Sequence, residues 1–209
     1  FGTSTLSPGI AGLLLTLPLA SMVWGNLTAM RQDSLRRMLA YSSIAHAGYL
    51  YFAFVGAGEG RFEAVLFYLI AYGLMNVLAF AAVPAGGEQA TRDTLPRLQG
   101  LYQRQPFAAI AIAASMLSLA GIPPLPGFVA KFLIFRNVLE AGYTSWAVAG
   151  LVASYLGIYF YLRVIQQMFM TTPAEAPRDE RDPAFVACAL CLVPAIGVAV
   201  FPGWVLGLF

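Results

Sequence analysis

Ser118-Leu119-Ala120-Gly121-Ile122-Pro123-Pro124-Leu125-Pro126-Gly127-Phe128-Val129-Ala130-Lys131 is the stretch on which the reading of this chain turns. It lies inside an apolar run from about Pro106 to Leu139 that otherwise has the character of one long helix. Three prolines and two glycines between Gly121 and Gly127 cannot continue that helix, because each proline removes a backbone donor and clashes with the preceding turn. Two half-helices are expected, Pro106 to Ile122 and Phe128 to Leu139. At about 1.5 Å per residue neither half comfortably crosses about 30 Å of hydrocarbon, whereas the two together do. The break, over residues 121–127, is therefore placed at membrane depth, where unpaired backbone survives only when buried in protein or set against a wet cavity. Broken helices of this kind hold ion and substrate sites in transporters.

The rest of the chain agrees with a lipid environment. Of 209 residues, 59% are hydrophobic and only 11% are charged, against about 25% charged in a globular domain. Apolar runs of spanning length cover residues 7–30, 38–55, 62–83, 106–139, 145–170 and 183–206. The expected fold is an all-α membrane protein of about six transmembrane helices, the fourth broken, in a single transmembrane domain over residues 1–209. The chain starts at Phe1, and no basic region precedes an apolar stretch with a cleavage site, so no signal peptide is expected. The start reads as the interior of a longer protein.

Six spans put the connections alternately on two sides. One side receives Arg31, Arg36, Arg37, Arg92, Arg97, Arg104, Arg163, Arg178 and Arg181; the other receives only Arg61 and Arg136. This nine-to-two asymmetry predicts that the arginine-rich side is cytoplasmic and that both ends of the chain face outward. Solvated surface and topology signal account for these charges, and the mixed Pro, Glu, Asp and Arg segment 171–182 reads as a solvated connection.

Lys131 is the only lysine in the chain and falls on the first turn of the second half-helix, inside the membrane. An intramembrane ammonium is a candidate functional group, because it is expensive to hold there and its charge state responds to any neighbouring charge that moves. That response is the physical requirement for a proton relay. The alternative is a lysine that snorkels to an interface. The only histidine, His46, follows the entrance arginines on the second span, where Ser42, His46 and Tyr49 fall at i, i+4 and i+7 on one helix face. Such a stripe passes protons through ordered water, or joins helices by hydrogen bonds; the spacing fits both. Tyr68, Tyr72 and Asn76 on the third span, and Tyr155 and Tyr159 on the fifth, fit interhelical packing or a hydrophilic file.

Cys188 and Cys191 form a C-x-x-C inside an apolar run, where two small buried residues explain them better than a metal or redox site. The sequence holds neither a Gly-rich dinucleotide fingerprint nor a P-loop, and it has too few cysteines and histidines for an iron–sulfur cluster or a bis-His haem. No cofactor is expected in this chain.

Two motifs carry a family resemblance. Leu35-Arg36-Arg37-Met38-Leu39-Ala40-Tyr41-Ser42-Ser43-Ile44-Ala45-His46-Ala47-Gly48-Tyr49-Leu50, and the stretch from Leu117 to Phe132, resemble the signatures of the antiporter-like membrane subunits of proton-pumping NADH:quinone oxidoreductase, respiratory complex I. Those subunits are related to the Mrp sodium/proton antiporters. Gly157 to Val164 is most similar to the N-type subunit. The resemblance implies the C-terminal part of a fourteen-helix protein built from two inverted five-helix repeats. It implies that Lys131 is the relay lysine and that His46 is a further proton-relay residue. Arg36 stands where relatives often carry lysine, and an arginine does not readily release a proton. The implied activity is proton translocation as a subunit of a translocase, coupled at a distance to quinone reduction. NADH, FMN, iron–sulfur clusters and quinone would be bound by other subunits. The implied partners are the M-type and small membrane subunits and the lipid of a bacterial inner membrane, with no nucleic acid. The alternatives are an Mrp-type Na⁺/H⁺ antiporter subunit and a non-conducting structural subunit.

Overall fold

The structure is a computed structural model. It describes residues 8–55, 60–83 and 93–170, together with Val193, Pro194, Gly197, Val198 and Gly203 individually. Most of the expected last span, Cys188 and Cys191 within it, as well as Arg92 and the 171–182 connection, lie outside the described residues. Every long element described is a helix: α1 (Pro8–Ala29), α2 (Leu35–Ala53), α3 (Gly60–Ala81), then a 3-10 turn at Leu95–Leu98, α4 (Leu101–Arg104), α5 (Pro106–Ala120), α6 (Pro126–Glu140) and α7 (Thr144–Met170).

Helix α2 starts at Leu35, ahead of the expected Met38, because Ser34 caps it. Ser34 is extended (φ −109°, ψ 127°), and its hydroxyl accepts the Arg37 amide at 3.3 Å. The first turn of α2 thus includes Arg36 and Arg37, which the apolar run alone excludes. The break between α5 and α6 is shorter than expected. Gly121 takes a left-handed conformation (φ +85°) that closes α5, with its own amide on Ser118 O at 2.9 Å and the Ile122 amide on Leu117 O at 3.1 Å. Helix α6 then begins at Pro126 rather than after Gly127, since a proline at the first helical position sacrifices a donor that has no partner anyway.

By length and apolarity three described helices can cross a bilayer: Gly9–Ala29, Gly60–Ala81 and Thr144–Met170. Their outer faces are apolar and uncovered, with Leu17, Trp24, Val77, Val152 and Tyr155 all more than half exposed, as suits contact with lipid rather than water. Helices α1 and α2 approach closely through glycine. A Cβ on Gly25 would lie 2.6 Å from the Ala45 amide, and one on Gly48 would lie 2.7 Å from Pro18 O. Small residues at such a crossing let two backbones meet where lipid offers no hydrophobic drive for association.

The interior is built in two apolar layers. One collects Ala29 from α1, Leu35, Met38 and Leu39 from α2, Leu78 from α3, Ile112 and Met116 from α5, and Val164 and Met168 from α7. The other collects Met22, Phe52, Phe67, Ile134, Val138 and Ala153 from α1, α2, α3, α6 and α7. Because α5 contributes to the first layer and α6 to the second, the break between them falls at the seam.

Candidate functional site

Polar side chains gather at that seam. Lys131 sits on the second turn of α6 and is buried. It does not reach outward as a snorkelling lysine would. It folds back onto the end of α5, where Nζ donates to Leu119 O at 2.9 Å and Ala120 O at 3.0 Å. The last carbonyls of a helix have no intrahelical partner and carry the negative end of its dipole, so the break itself supplies the acceptors that hold the ammonium. A third bond runs to Ser154 Oγ on α7 at 3.1 Å, and the Tyr49 ring lies with its centroid 5.1 Å from Nζ. Among the described residues no carboxylate pairs with Lys131.

Helices α5 and α6 are locked together at Gly127. Its amide donates to Ser118 Oγ at 3.0 Å. A Cβ built on it would fall 1.8 Å from Ser118 O. Only glycine lets α6 begin this close to the end of α5.

His46 lies across a small cavity from the lysine. The cavity, lined by His46, Tyr68, Tyr72, Ser118, Gly127 and Lys131 among others, leaves about 10 Å³ for the centre of a water-sized sphere, which is space for about one water. His46 Nδ1 is 2.7 Å from Tyr68 OH, and Nε2 is 3.1 Å from Tyr161 OH, which in turn bonds Ser42 Oγ. Tyr72 stacks on the imidazole with centroids 4.5 Å apart. The whole i, i+4, i+7 stripe of Ser42, His46 and Tyr49 is buried here.

The two tyrosines expected from the fifth span are elsewhere. Tyr155 and Tyr159 lie on the exposed face of α7. The inward polar residues of that helix are Ser154 and Tyr161, one stripe at i, i+7. Asn76 donates to Tyr72 O of its own helix at 2.9 Å.

Several loop charges also do more than face solvent. Asp33 and Asp93 bring two connections together: the Leu35 amide donates to Asp93 O at 2.7 Å and the Leu95 amide to Asp33 O at 2.8 Å. The buried Asp93 carboxylate takes the Ser34 hydroxyl at 2.5 Å and the Arg36 amide at 3.0 Å, with the Arg36 guanidinium 3.9 Å away. Arg163 on α7 pairs with Asp33 at 2.8 Å and reaches Met30 O and Gln32 O. Burial pushes the Asp93 carboxyl up, but the Ser34 hydroxyl, the Arg36 amide and the Arg36 charge outweigh it, so the group is held below its usual value. This carboxylate therefore contributes stability above the ordinary carboxyl range and loses that contribution as pH falls through its lowered value. Asp93→Asn is expected to weaken this docking by about 1–3 kcal/mol. Hydrogen exchange in nanodiscs reads it as faster exchange at Leu35 and Leu95, with α6 unchanged.

Apolar helices packed around a buried lysine that sits where α5 and α6 meet make this an all-α membrane protein. The sequence profile of the family described as NADH:quinone oxidoreductase/Mrp antiporter, transmembrane, matches residues 3–157, and the chain belongs to that family. It is 41% identical, over all of its own length, to NADH-quinone oxidoreductase subunit N of Pelobacter propionicus. It resembles a chain of respiratory complex I from Thermus thermophilus with bound aureothin at 38% identity and TM-score 0.82, covering 94% of this chain and 45% of that one. A chain of the Mrp complex from Dietzia shares the fold at 23% identity and TM-score 0.80, covering 94% of this chain and 45% of that one. The chain spans 43% of the length of the Pelobacter relative.

Proposed function

We propose that this chain is the C-terminal part of an N-type membrane subunit of a proton-pumping NADH:quinone oxidoreductase. In this reading it translocates protons coupled to quinone reduction in neighbouring subunits, and it holds no redox site of its own. The observation that carries the proposal is Lys131, buried at a helix break and held by backbone carbonyls with no paired carboxylate among the described residues. A scaffold subunit has no reason to bury that charge. The likeness to N-type subunits over the whole chain supports this reading over an Mrp-type antiporter.

In the proposed arrangement α5 and α6 together make one crossing, the chain carries six spans with the last over residues 183–206, and the domain is the second five-helix repeat plus one helix. Lys131 is the titrating relay, and His46 passes protons to or from it across the shared cavity. The partners are the M-type and small membrane subunits in a bacterial inner membrane.

The test is the complex containing the full-length subunit, purified and placed in sealed liposomes. NADH with a quinone is expected to acidify one side without sodium. Sodium-driven proton exchange that needs no NADH would instead establish the antiporter reading.

The topology is checked separately. With Cys188 and Cys191 replaced, Gln103→Cys is expected to resist an impermeant thiol reagent in intact cells, and Glu140→Cys to react. Labelling at residue 103 from outside would reverse the sidedness.

A further inference from the structure

Ser42, Tyr161, His46 and Tyr68 form one unbranched hydrogen-bonded row across α2, α7 and α3. All four side chains are buried. Rings hold the row in place: Tyr72 stacks on the imidazole, and Phe160 lies 4.3 Å from the Tyr161 ring centroid. A neutral imidazole has one N–H and one lone pair, so a row with hydroxyls on both ring nitrogens has two self-consistent arrangements. In the first, Ser42 donates to Tyr161, Tyr161 to Nε2, and Nδ1–H to Tyr68, whose own proton is free to face the cavity. In the second, Tyr68 donates to Nδ1, Nε2–H to Tyr161, and Tyr161 to Ser42. A mixed arrangement leaves two protons opposed or a buried lone pair unmet, and each of these costs about as much as a lost hydrogen bond.

Passing one proton converts the first arrangement into the second, and the count balances. Ser42 takes a proton from a hydronium ion, which is left as water, and gives its own to the Tyr161 oxygen. Tyr161 gives its proton to Nε2, Nδ1 gives its proton to the Tyr68 oxygen, and Tyr68 releases its former proton into the cavity. The acceptor there is the Lys131 amine, which lines the same cavity. No charge remains on the row. The ammonium that results favours the second arrangement, because the Tyr68 oxygen lone pairs then face the positive charge.

We infer that Tyr161 is a proton-relaying residue of this site: its hydroxyl, between Ser42 and His46, is what lets the imidazole exchange tautomers as a proton passes to Lys131. The inference rests on the reading of Lys131 as a relay. Tyr161→Phe keeps the ring against Phe160 and removes only the hydroxyl.

In the complex with the full-length subunit, in sealed liposomes, Tyr161→Phe is expected to lower protons pumped per assembled complex by about tenfold, the effect on a rate of losing about one hydrogen bond. Its pH profile of pumping is expected to differ from the parent's, because His46 is left with one fixed tautomer. Ser42→Ala is expected to lower pumping too, and the double variant to fall no further than Tyr161→Phe alone, since one row is broken once. Parental pumping and pH profile in Tyr161→Phe, or multiplied effects in the double variant, would overturn the inference. Lys131→Ala separates the two levels. Parental pumping by that variant sinks the relay reading as a whole, whereas its failure beside a fully active Tyr161→Phe sinks only the role of Tyr161.

Discussion

Complexes carrying Lys131→Ala are expected to assemble and to lose proton pumping by about a hundredfold, the low end of what a positioned acid–base group contributes. Removal of the ammonium leaves Leu119 O and Ala120 O at the end of α5 without their donor, at about 1–3 kcal/mol each if no water replaces it. Some loss of thermal stability therefore accompanies the loss of function. Lys131→Arg separates charge from titration. A guanidinium can donate to the same carbonyls and keeps the positive charge, but it does not release its proton. It is expected to restore the lost stability while leaving pumping and coupled quinone reduction impaired. Proton uptake into sealed liposomes, measured against NADH consumed, reads both variants. Full coupled turnover with arginine would make residue 131 a fixed charge and end the relay proposal.

Gly127→Ala is expected to be the most damaging single methyl in the described residues. The added carbon would lie 1.8 Å from Ser118 O, a backbone atom that cannot rotate away. The start of α6 must then withdraw from the end of α5, losing the Gly127–Ser118 bond and displacing Lys131 from its carbonyls. A destabilisation of more than about 3 kcal/mol is expected, at or beyond the upper end for overpacking. It reads out as a sharp fall in assembled complex on native gels. Gly73→Ala is the matched control. Nothing lies within 4 Å of a Cβ at that position, and alanine favours the helix by about 1 kcal/mol over glycine. Equal abundance of the two variants would show that the break has slack that the close contact denies.

How far the site can be read from sequence follows from what kind of signal each part leaves. The break is legible because Pro123, Pro124 and Pro126 act locally, through their own missing donors. Lys131 is legible because it is the only lysine in a membrane sequence. The Ser42, His46 and Tyr49 stripe is legible because one helix face needs only its own spacing. Ser154 and Tyr161 are not legible. Helix α7 carries Ser154, Tyr155, Tyr159 and Tyr161 within two turns, and periodicity does not say which of two polar faces meets the bundle. The i, i+4 spacing points to Tyr155 and Tyr159, yet they are the ones exposed. The Asp93 docking is hidden for another reason: its partners Ser34 and Arg36 are 59 and 57 residues away, and no local pattern announces a pairing of two connections. The carbonyls that hold Lys131 follow from the break once it is known that the lysine folds backward rather than forward.

The two apolar layers on either side of the seam act as insulation as much as packing. A resting membrane voltage is worth about 2.3 kcal/mol per elementary charge per 100 mV, and it is sustained only while no continuous wet thread joins the two bulk phases. Leu39 and Leu78 in one layer, and Phe52 and Ile134 in the other, are the dielectric between which the seam's few polar groups are enclosed. In the proton-translocating role proposed above, a cycle can admit water through one layer at a time, never through both, or a gradient would discharge through the chain. In that role the leucines and phenylalanines that touch no proton would set the leak rate.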